Sequence, residues 1–415
     1  MDLNVRSEIN PLRLVITHRP GNEHEYITPS NLVEKKGEKD NPDYLLFDDL
    51  IYVPKAKEEH QNLYDILHYF TDGNCYEITD LLKVVLNNSS VKDMLIDDCI
   101  KLEKELYNNI IGKEQLAALD NNLLVDTLLS GYNKEKQFFT YPIPNLIFTR
   151  DIAVCIGNTI LITWSTKHVR RRENIIAKYV LENHKSFKSL DVFDFHEHFP
   201  SLTIEGGDIL IFDNKRICIG ISERTPLESV SKLAPLIFKE GFETIIGVDL
   251  PKKRALMHLD TIFTRISEDE VLIFPPILDK NFGEHLNKTY IYKKGNKDPD
   301  IKMKNLISIL KDDGLNINYI KCGSDSKIMQ EREQWTDGAN AFTLSPGKII
   351  GYDCNTHTLE ELKKAGYQII STSEYIERYN DYNTSNSKFV ITINGSELSR
   401  GRGGPRCLTL PLFRI

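Results

Sequence analysis

The sequence has no apolar run approaching the roughly 20 residues that span a bilayer. A membrane-spanning helix is therefore excluded. Its opening stretch, MDLNVRSEINPLRLV, lacks the basic segment, apolar core and small-residue cleavage site of a secretory signal, and a cytoplasmic location is expected. There is no basic surplus either: 52 Lys and Arg stand against 60 Asp and Glu, a formal net charge of -8, with the two signs interspersed. A chain without a basic stripe offers little to nucleic acid or to an anionic membrane, so neither is expected as a partner. Cysteine is sparse. The seven residues Cys75, Cys99, Cys155, Cys218, Cys322, Cys354 and Cys407 form no CxxC pair and no disulfide-rich spacing, so reduced and mostly buried thiols are expected.

What is present suits a large folded core: 415 residues, 40% hydrophobic and 27% charged. Several segments repeat one design, two apolar strands joined by a turn and followed by a helix-like stretch. AVCIGNTILITW turns at Gly157-Asn158, ILIFDNKRICIGI at Asp213-Asn214, and AFTLSPGKIIGY at Pro346-Gly347, with TIFTRISEDEVLIF as a further hairpin. A fifth unit can be assembled from both ends, using LRLVITH, KFVITI and the LTLPLF that follows Cys407. Such recurrence favours a closed ring of β/α units with both termini in one blade, which leaves no sheet edge exposed. An ordinary open α/β sheet is the alternative.

One region departs from the pattern. From about Glu58 to Thr140, apolar residues such as Leu81, Leu82, Val85, Leu102, Leu106 and Ile110 recur at spacings of three and four, without strand signals. The expected organisation is a single domain over 1–415 with a helical insertion at 75–140, serving packing or as a lid.

Chemistry concentrates in a few places. GSELSRGRGGPRC sets Cys407 directly after a glycine-rich loop in which Arg400, Arg402 and Arg406 would favour the thiolate. His258 stands two residues before Asp260, a spacing that in a strand puts both side chains on one face. Glu205-Gly206-Gly207-Asp208 and NLIFTRD, ending in Asp151, enter other strands at the matching point of their repeats. Taken singly, each has a plainer reading: a basic tail with an incidental Cys, a structural His, a carboxylate at a turn. Strand starts gathered at the centre of a ring would instead bring Asn145, Asp151, Glu205, His258, Asp260 and Cys407 together. No close pair of metal ligands supports a zinc site, and the glycine runs match neither Walker nor dinucleotide fingerprints.

In order along the chain, SEINPLRLVITHRPGNE, LLFDDLIYVPKAKEEH, PNLIFTRD, RRRE, EGGD, GISERT, MHLDTIFT, REQWTDGAN and SRGRGGPRC resemble the arginine deiminase family, from Ser7 to Cys407. The resemblance implies the fold of the guanidino-group-modifying superfamily, an α/β five-bladed ββαβ propeller (pentein) with a helical insertion. It implies hydrolysis of L-arginine to L-citrulline and ammonia, with no metal or organic cofactor. It also implies roles: Cys407 as nucleophile, His258 as general acid and base, Glu205 as the carboxylate that positions His258, and Asp151 and Asp260 gripping the guanidinium. Arg170, Arg224 and Arg402 would hold the substrate's α-carboxylate, with Asn145 a neutral polar contact. Members commonly form dimers or larger assemblies, so a homo-oligomer is expected. Three places depart from the family's usual wording: Ile152 where proline is common, Leu408-Thr409-Leu410-Pro411 in place of Met-Ser-Cys-Pro, and the segment Tyr352-Asp353-Cys354-Asn355. None removes a catalytic group. The rivals are an amidinotransferase, a hydrolase of methylated arginine, and a non-catalytic arginine-binding protein.

Overall fold

The computed structural model describes residues 3–36, 39–278 and 288–415. Among these, five sheets have three or more strands, and all five share one pairing rule: an antiparallel pair with a further strand parallel to its second member. In the second unit Ala153–Ile156 and Thr159–Ile162 form the hairpin and Asp191–Asp194 adds in parallel. The third unit uses Ile209–Ile211, Arg216–Ile221 and Thr244–Asp249, extended by Thr289–Lys293 and Asp300–Lys302. Phe263–Arg265, Glu270–Ile273 and Asn318–Lys321 make the fourth. Phe342–Ser345, Lys348–Tyr352 and Phe389–Ile393 make the fifth, with Gln368–Ser371 on its far side. In the first unit the hairpin partner comes from the other end of the chain: Leu12–Thr17 pairs antiparallel with Leu410–Arg414 and parallel with Cys75–Glu77.

Local chemistry explains these elements. The strands Ala153–Ile156 and Thr159–Ile162 are apolar throughout and buried along their length, as strands covered on both faces must be. The Asp213 carboxylate accepts the amides of Lys215 and Arg216, closing the third unit's hairpin. A parallel strand needs a crossover, and the helices Val53–Phe70, Arg171–Asn183, Leu227–Lys239 and Leu306–Asp312 supply it in the first four units.

Two expectations need correction. KFVITI does not join the terminal sheet: Phe389–Ile393 lies parallel to Lys348–Tyr352 in the fifth unit, a non-local pairing that no turn in the sequence announces. The segment read as helical also contains strands. Cys75–Glu77 belongs to the first unit, and Tyr132–Asn133 pairs with Lys136–Gln137. These pieces of two and three residues are too short to show an alternating pattern. The helices Ile78–Val85, Ser89–Tyr107, Lys113–Ala117 and Asn121–Ser130 follow Cys75–Glu77, two of them opened by Asn88 and Asp120, whose side chains cap the first amides.

The apolar cores pass from unit to unit. One unites Leu14, Ile16 and Leu410 of the first unit with Ile160 of the second and Ile217 of the third. Another joins Leu210 and Ile246 to Phe263 and Val271, across the third and fourth. Leu272 and Ile320 pack with Ile349 and Val390, across the fourth and fifth, and Leu12 and Val15 pack with Ile350 and Ile391, across the fifth and first.

The helical segment is fastened by one buried ion pair. Arg172 bonds Glu103 at 3.0 Å, the Leu128 carbonyl at 2.9 Å and the Tyr141 carbonyl, while Glu103 also accepts the Thr140 amide and hydroxyl. Glu103→Ala leaves a buried guanidinium without its counter-charge, and the expected loss is about 3–5 kcal/mol, read from denaturant unfolding. A change below about 1 kcal/mol would show that the pair does not secure the segment.

Candidate active site

The candidate residues share one structural position, the turn that feeds the hairpin strand of each unit. Asp151 lies in the short helix Thr149–Ile152 ahead of Ala153–Ile156. Glu205 and the turn Gly206–Asp208 precede Ile209–Ile211, and His258 and the turn Leu259–Thr261 precede Phe263–Arg265. Cys407 stands three residues before Leu410–Arg414. Asn340, which the sequence reading passed over inside REQWTDGAN, holds the same place in the fifth unit. Its side chain accepts the Cys407 amide at 3.1 Å and donates to the Asp260 carbonyl at 3.0 Å.

The charges are buried and paired. His258 Nε2 lies 2.9 Å from Glu205 Oε2, and Nδ1 lies 3.7 Å from Asp151 Oδ1. Gly207 is required here, since a Cβ would come within 2.4 Å of His258 Nδ1, and its amide donates to Asp151. Burial disfavours charge on His258, but Asp151, the bond to Glu205 and the nearby Asp208 outweigh it and raise the imidazole from 6.5 to about 9. Glu205 also faces burial, and Arg224 and His258 reverse it, holding the carboxyl well below its usual range.

Cys407 Sγ is 3.7 Å from Asp260 Oδ2. Of the loop's arginines, expected to favour the thiolate, Arg402 and Arg406 act that way on Cys407 but are outweighed. Arg400 turns outward to Asp49 and Arg402 stacks over Trp335. Burial pushes the thiol well above its usual range, Asp260, Asp151 and Asp337 push the same way, and Arg406, with Arg402 and Arg150, opposes them without prevailing. Arg406 is itself engaged by Glu8 through two nitrogens, at 2.9 and 3.1 Å, and by Asp260 Oδ2 at 2.7 Å. Asp260 Oδ1 is buried with no hydrogen-bond partner among the described residues. The strand geometry expected for His258 and Asp260 is also replaced: Leu259–Thr261 is a 3-10 turn, so a period of two does not apply. One side chain goes to Glu205, the other to Arg406.

The three arginines expected at the substrate's far end all border the same cavity, as do Asn145, Asp151, His258 and Cys407. Arg170 bonds Asp151 at 2.6 Å, Glu173 at 2.9 Å and the Asn145 carbonyl at 3.0 Å, which leaves two of its five N–H donors. Arg224 lies 3.7 Å from Glu205, and its Nη2 has no hydrogen-bond partner among the described residues. Arg402 takes a left-handed backbone, φ +67°, and its guanidinium bonds the Trp335 carbonyl. Leu46, Phe148, Arg254, Met257 and Thr261 complete the wall. Arg254 is fixed by Asp48 at 2.9 Å and by the Leu46 carbonyl. The space enclosed is only about 20 Å³, so a substrate must displace part of the wall. A larger cleft, about 430 Å³, lies around His18, Glu77 and Asp126 and is lined by none of the candidate residues. It too holds a buried histidine paired with carboxylates, His18 with Glu23 and Glu77, and what sets the smaller cavity apart is Cys407 beside its His258–Glu205 pair.

Asp151, Glu205 and His258 are close enough to share a cation. Each carboxylate is already faced by a guanidinium, Arg170 or Arg224, which makes the group a poor metal cage.

Residues 43–414 match the family model described as arginine deiminase. The arginine deiminase of Mycoplasma capricolum is 33% identical over 438 aligned positions, covering 99% of this chain and 97% of that protein. That of Staphylococcus aureus is 34% identical over 442, with 99% and 98% covered. Among solved structures, a dimethylarginine dimethylaminohydrolase captured as an adduct with S-methyl-L-thiocitrulline superposes with a TM-score of 0.50 at 16% identity, covering 96% of this chain and 99% of that one. A DDAH variant from Pseudomonas aeruginosa with citrulline gives 0.50 at 15%, covering 97% and 99%. These structures share the mixed α/β fold.

Because His258 titrates higher folded than unfolded, its pairing stabilises the fold fully below about pH 6.5 and the contribution is lost as pH rises through about 9. Glu205→Gln removes a main support of that charge. The imidazole midpoint of His258, followed by NMR, is expected to fall toward 6.5; an unmoved midpoint would mean that Glu205 does not hold the proton there.

Proposed function

The chain belongs to the arginine deiminase family and hydrolyses the guanidinium of L-arginine to L-citrulline and ammonia; we propose that Cys407 is its nucleophile and His258 its general acid and base. The observation that carries this assignment is the buried His258–Glu205 pair at 2.9 Å beside the one cysteine that borders the cavity. A planar cation with five N–H donors suits the carboxylates of Asp151 and Asp260, which fix its plane and leave its carbon open to the thiol.

The buried carboxylates that keep Cys407 protonated also invite a cation. A guanidinium bound between Asp151 and Asp260 offsets their charge, so the thiolate forms with substrate in place, its proton passing to solvent. Sulfur attacks the guanidinium carbon. His258, already protonated at neutral pH, gives its proton to the departing nitrogen, ammonia leaves, and a thiouronium remains on Cys407. Neutral His258 then takes a proton from water, the hydroxide adds to the carbon, and collapse expels the thiolate and frees citrulline. Glu205 orients the imidazole. Arg170, Arg224 and Arg402 receive the α-carboxylate and Asn145 adds a polar contact. This discriminates against agmatine, which lacks a carboxylate and leaves buried guanidiniums unpaired.

The proposed architecture is a five-bladed ring over residues 1–415 with a helical insertion at 75–140. The succession of shared cores from first unit to third, fourth, fifth and back to first supports it. A cytoplasmic homo-oligomer of two or more copies completes the proposal; it rests on the resemblance, and no helix of the described residues is long and apolar enough to cross a membrane.

Cys407→Ala is expected to lower citrulline formation on the order of 10⁴-fold or more while retaining a cooperative unfolding transition. Turnover near wild type rejects Cys407. Supplying an amine acceptor separates hydrolysis from amidino transfer: citrulline and ammonia in equal amounts are expected, and an amidinated acceptor without citrulline would contradict hydrolysis.

A further inference from the structure

Asp208 touches no reacting group in the chemistry above, yet it is tied to the chain at both ends of the substrate path, to a backbone amide at one and to a side-chain hydroxyl at the other. Its carboxylate is fully buried. Oδ1 accepts the amide of Leu259, the residue after His258, at 3.1 Å. Oδ2 accepts the hydroxyl of Ser222 at 2.6 Å. Ser222 Oγ in turn accepts the amides of Arg224 at 2.9 Å and Thr225 at 3.1 Å. One carboxylate thus grips the chain beside the catalytic histidine and, through the hydroxyls of Ser222 and Thr225, the chain on either side of the arginine assigned to the far end.

The arrangement is built for a carboxylate. A Cβ at Gly220 would stand 2.3 Å from Asp208 Oδ1, so glycine there reserves the space. Ser222 already accepts two amides, so its hydroxyl hydrogen needs an acceptor, and only an oxygen at Oδ2 provides one. An asparagine would present N–H₂ to a hydroxyl whose lone pairs are taken. His258, Glu205 and Lys252 are the charged groups that act on Asp208, and none of them hydrogen-bonds it.

We infer that Asp208 is a positioning residue that fixes the span between His258 and Arg224, and that it thereby makes the enzyme selective for a guanidino compound bearing a carboxylate at arginine's distance. The inference rests on the assignment of Arg224 to the α-carboxylate. Loss of the Ser222 link loosens only the Arg224 end, where Thr225 still bonds Asp208, whereas a change at Asp208 disturbs both ends.

The test is steady-state kinetics on arginine and on agmatine with wild type, Arg224→Gln, Ser222→Ala and Asp208→Asn, each checked for a cooperative unfolding transition. Arg224→Gln is expected to cut the preference for arginine over agmatine in kcat/KM. Ser222→Ala should raise KM for arginine by about 10-fold, the worth of one lost hydrogen bond, lower kcat far less, and reduce the same preference. Asp208→Asn should raise KM for arginine and lower kcat for both substrates. If Arg224→Gln cuts the preference while Ser222→Ala and Asp208→Asn keep it, the positioning role is overturned and the carboxylate assignment stands. If Arg224→Gln keeps the preference, the assignment falls and the inference with it. Should Asp208→Asn fail to fold, the KM-against-kcat split of Ser222→Ala decides.

Discussion

The structure depends on keeping several charges buried at one place without leaving any uncompensated. An isolated ion in a protein interior is costly enough to neutralise itself or unfold its surroundings. Here Glu8 faces Arg406 and Arg406 faces Asp260; Arg170 faces Asp151; Arg224 and His258 face Glu205. The pairings of Glu8 with Arg406, Arg406 with Asp260 and Glu205 with His258 join residues 398, 146 and 53 positions apart, so these charges hold the units in register as well as the site in shape. Asp260 Oδ1 remains without a hydrogen-bond partner among the described residues, which makes it a place for a cation to add.

That balance shapes the chemistry. The imidazole stays charged because carboxylates surround it, and the thiol stays protonated because it is buried and faces carboxylates as well. In the proposed mechanism, acid and nucleophile are thus both held in their protonated forms until a cation arrives. A guanidinium supplies the missing positive charge at the carboxylates, and the same act that binds it makes the sulfur reactive. The cavity, too small to admit an amino acid as it stands, adds the requirement that binding move the wall.

Much of this was legible in the sequence. The four hairpins were marked by alternation between turn residues and apolar runs, and Asp151, Glu205, His258 and Cys407 could be placed at corresponding points of the repeat because each sits just before a strand. Long-range partners were not. Glu8 and Arg406 lie 398 positions apart, and no periodicity links them. Asn340 has no signal of its own within REQWTDGAN, since its bridge between Cys407 and Asp260 exists only in the fold. Phe389–Ile393 was recognised as a strand but not assigned to its sheet, since parallel neighbours carry no local signature. The state of the thiol is not legible from its loop, because Arg400 turns away to Asp49 and the pull of Arg402 and Arg406 is outweighed by burial and by carboxylates from other units.

The central claim is that the substrate guanidinium is attacked by Cys407 and passes through a covalent intermediate. The most direct measurement is intact-protein and peptide mass spectrometry of enzyme acid-quenched during turnover with arginine. The account predicts a transient mass increment equal to arginine less ammonia, located on the peptide carrying Cys407 and absent after substrate is exhausted. Citrulline forming at full rate with no such increment at any quench time, or with the increment on another residue, would contradict it.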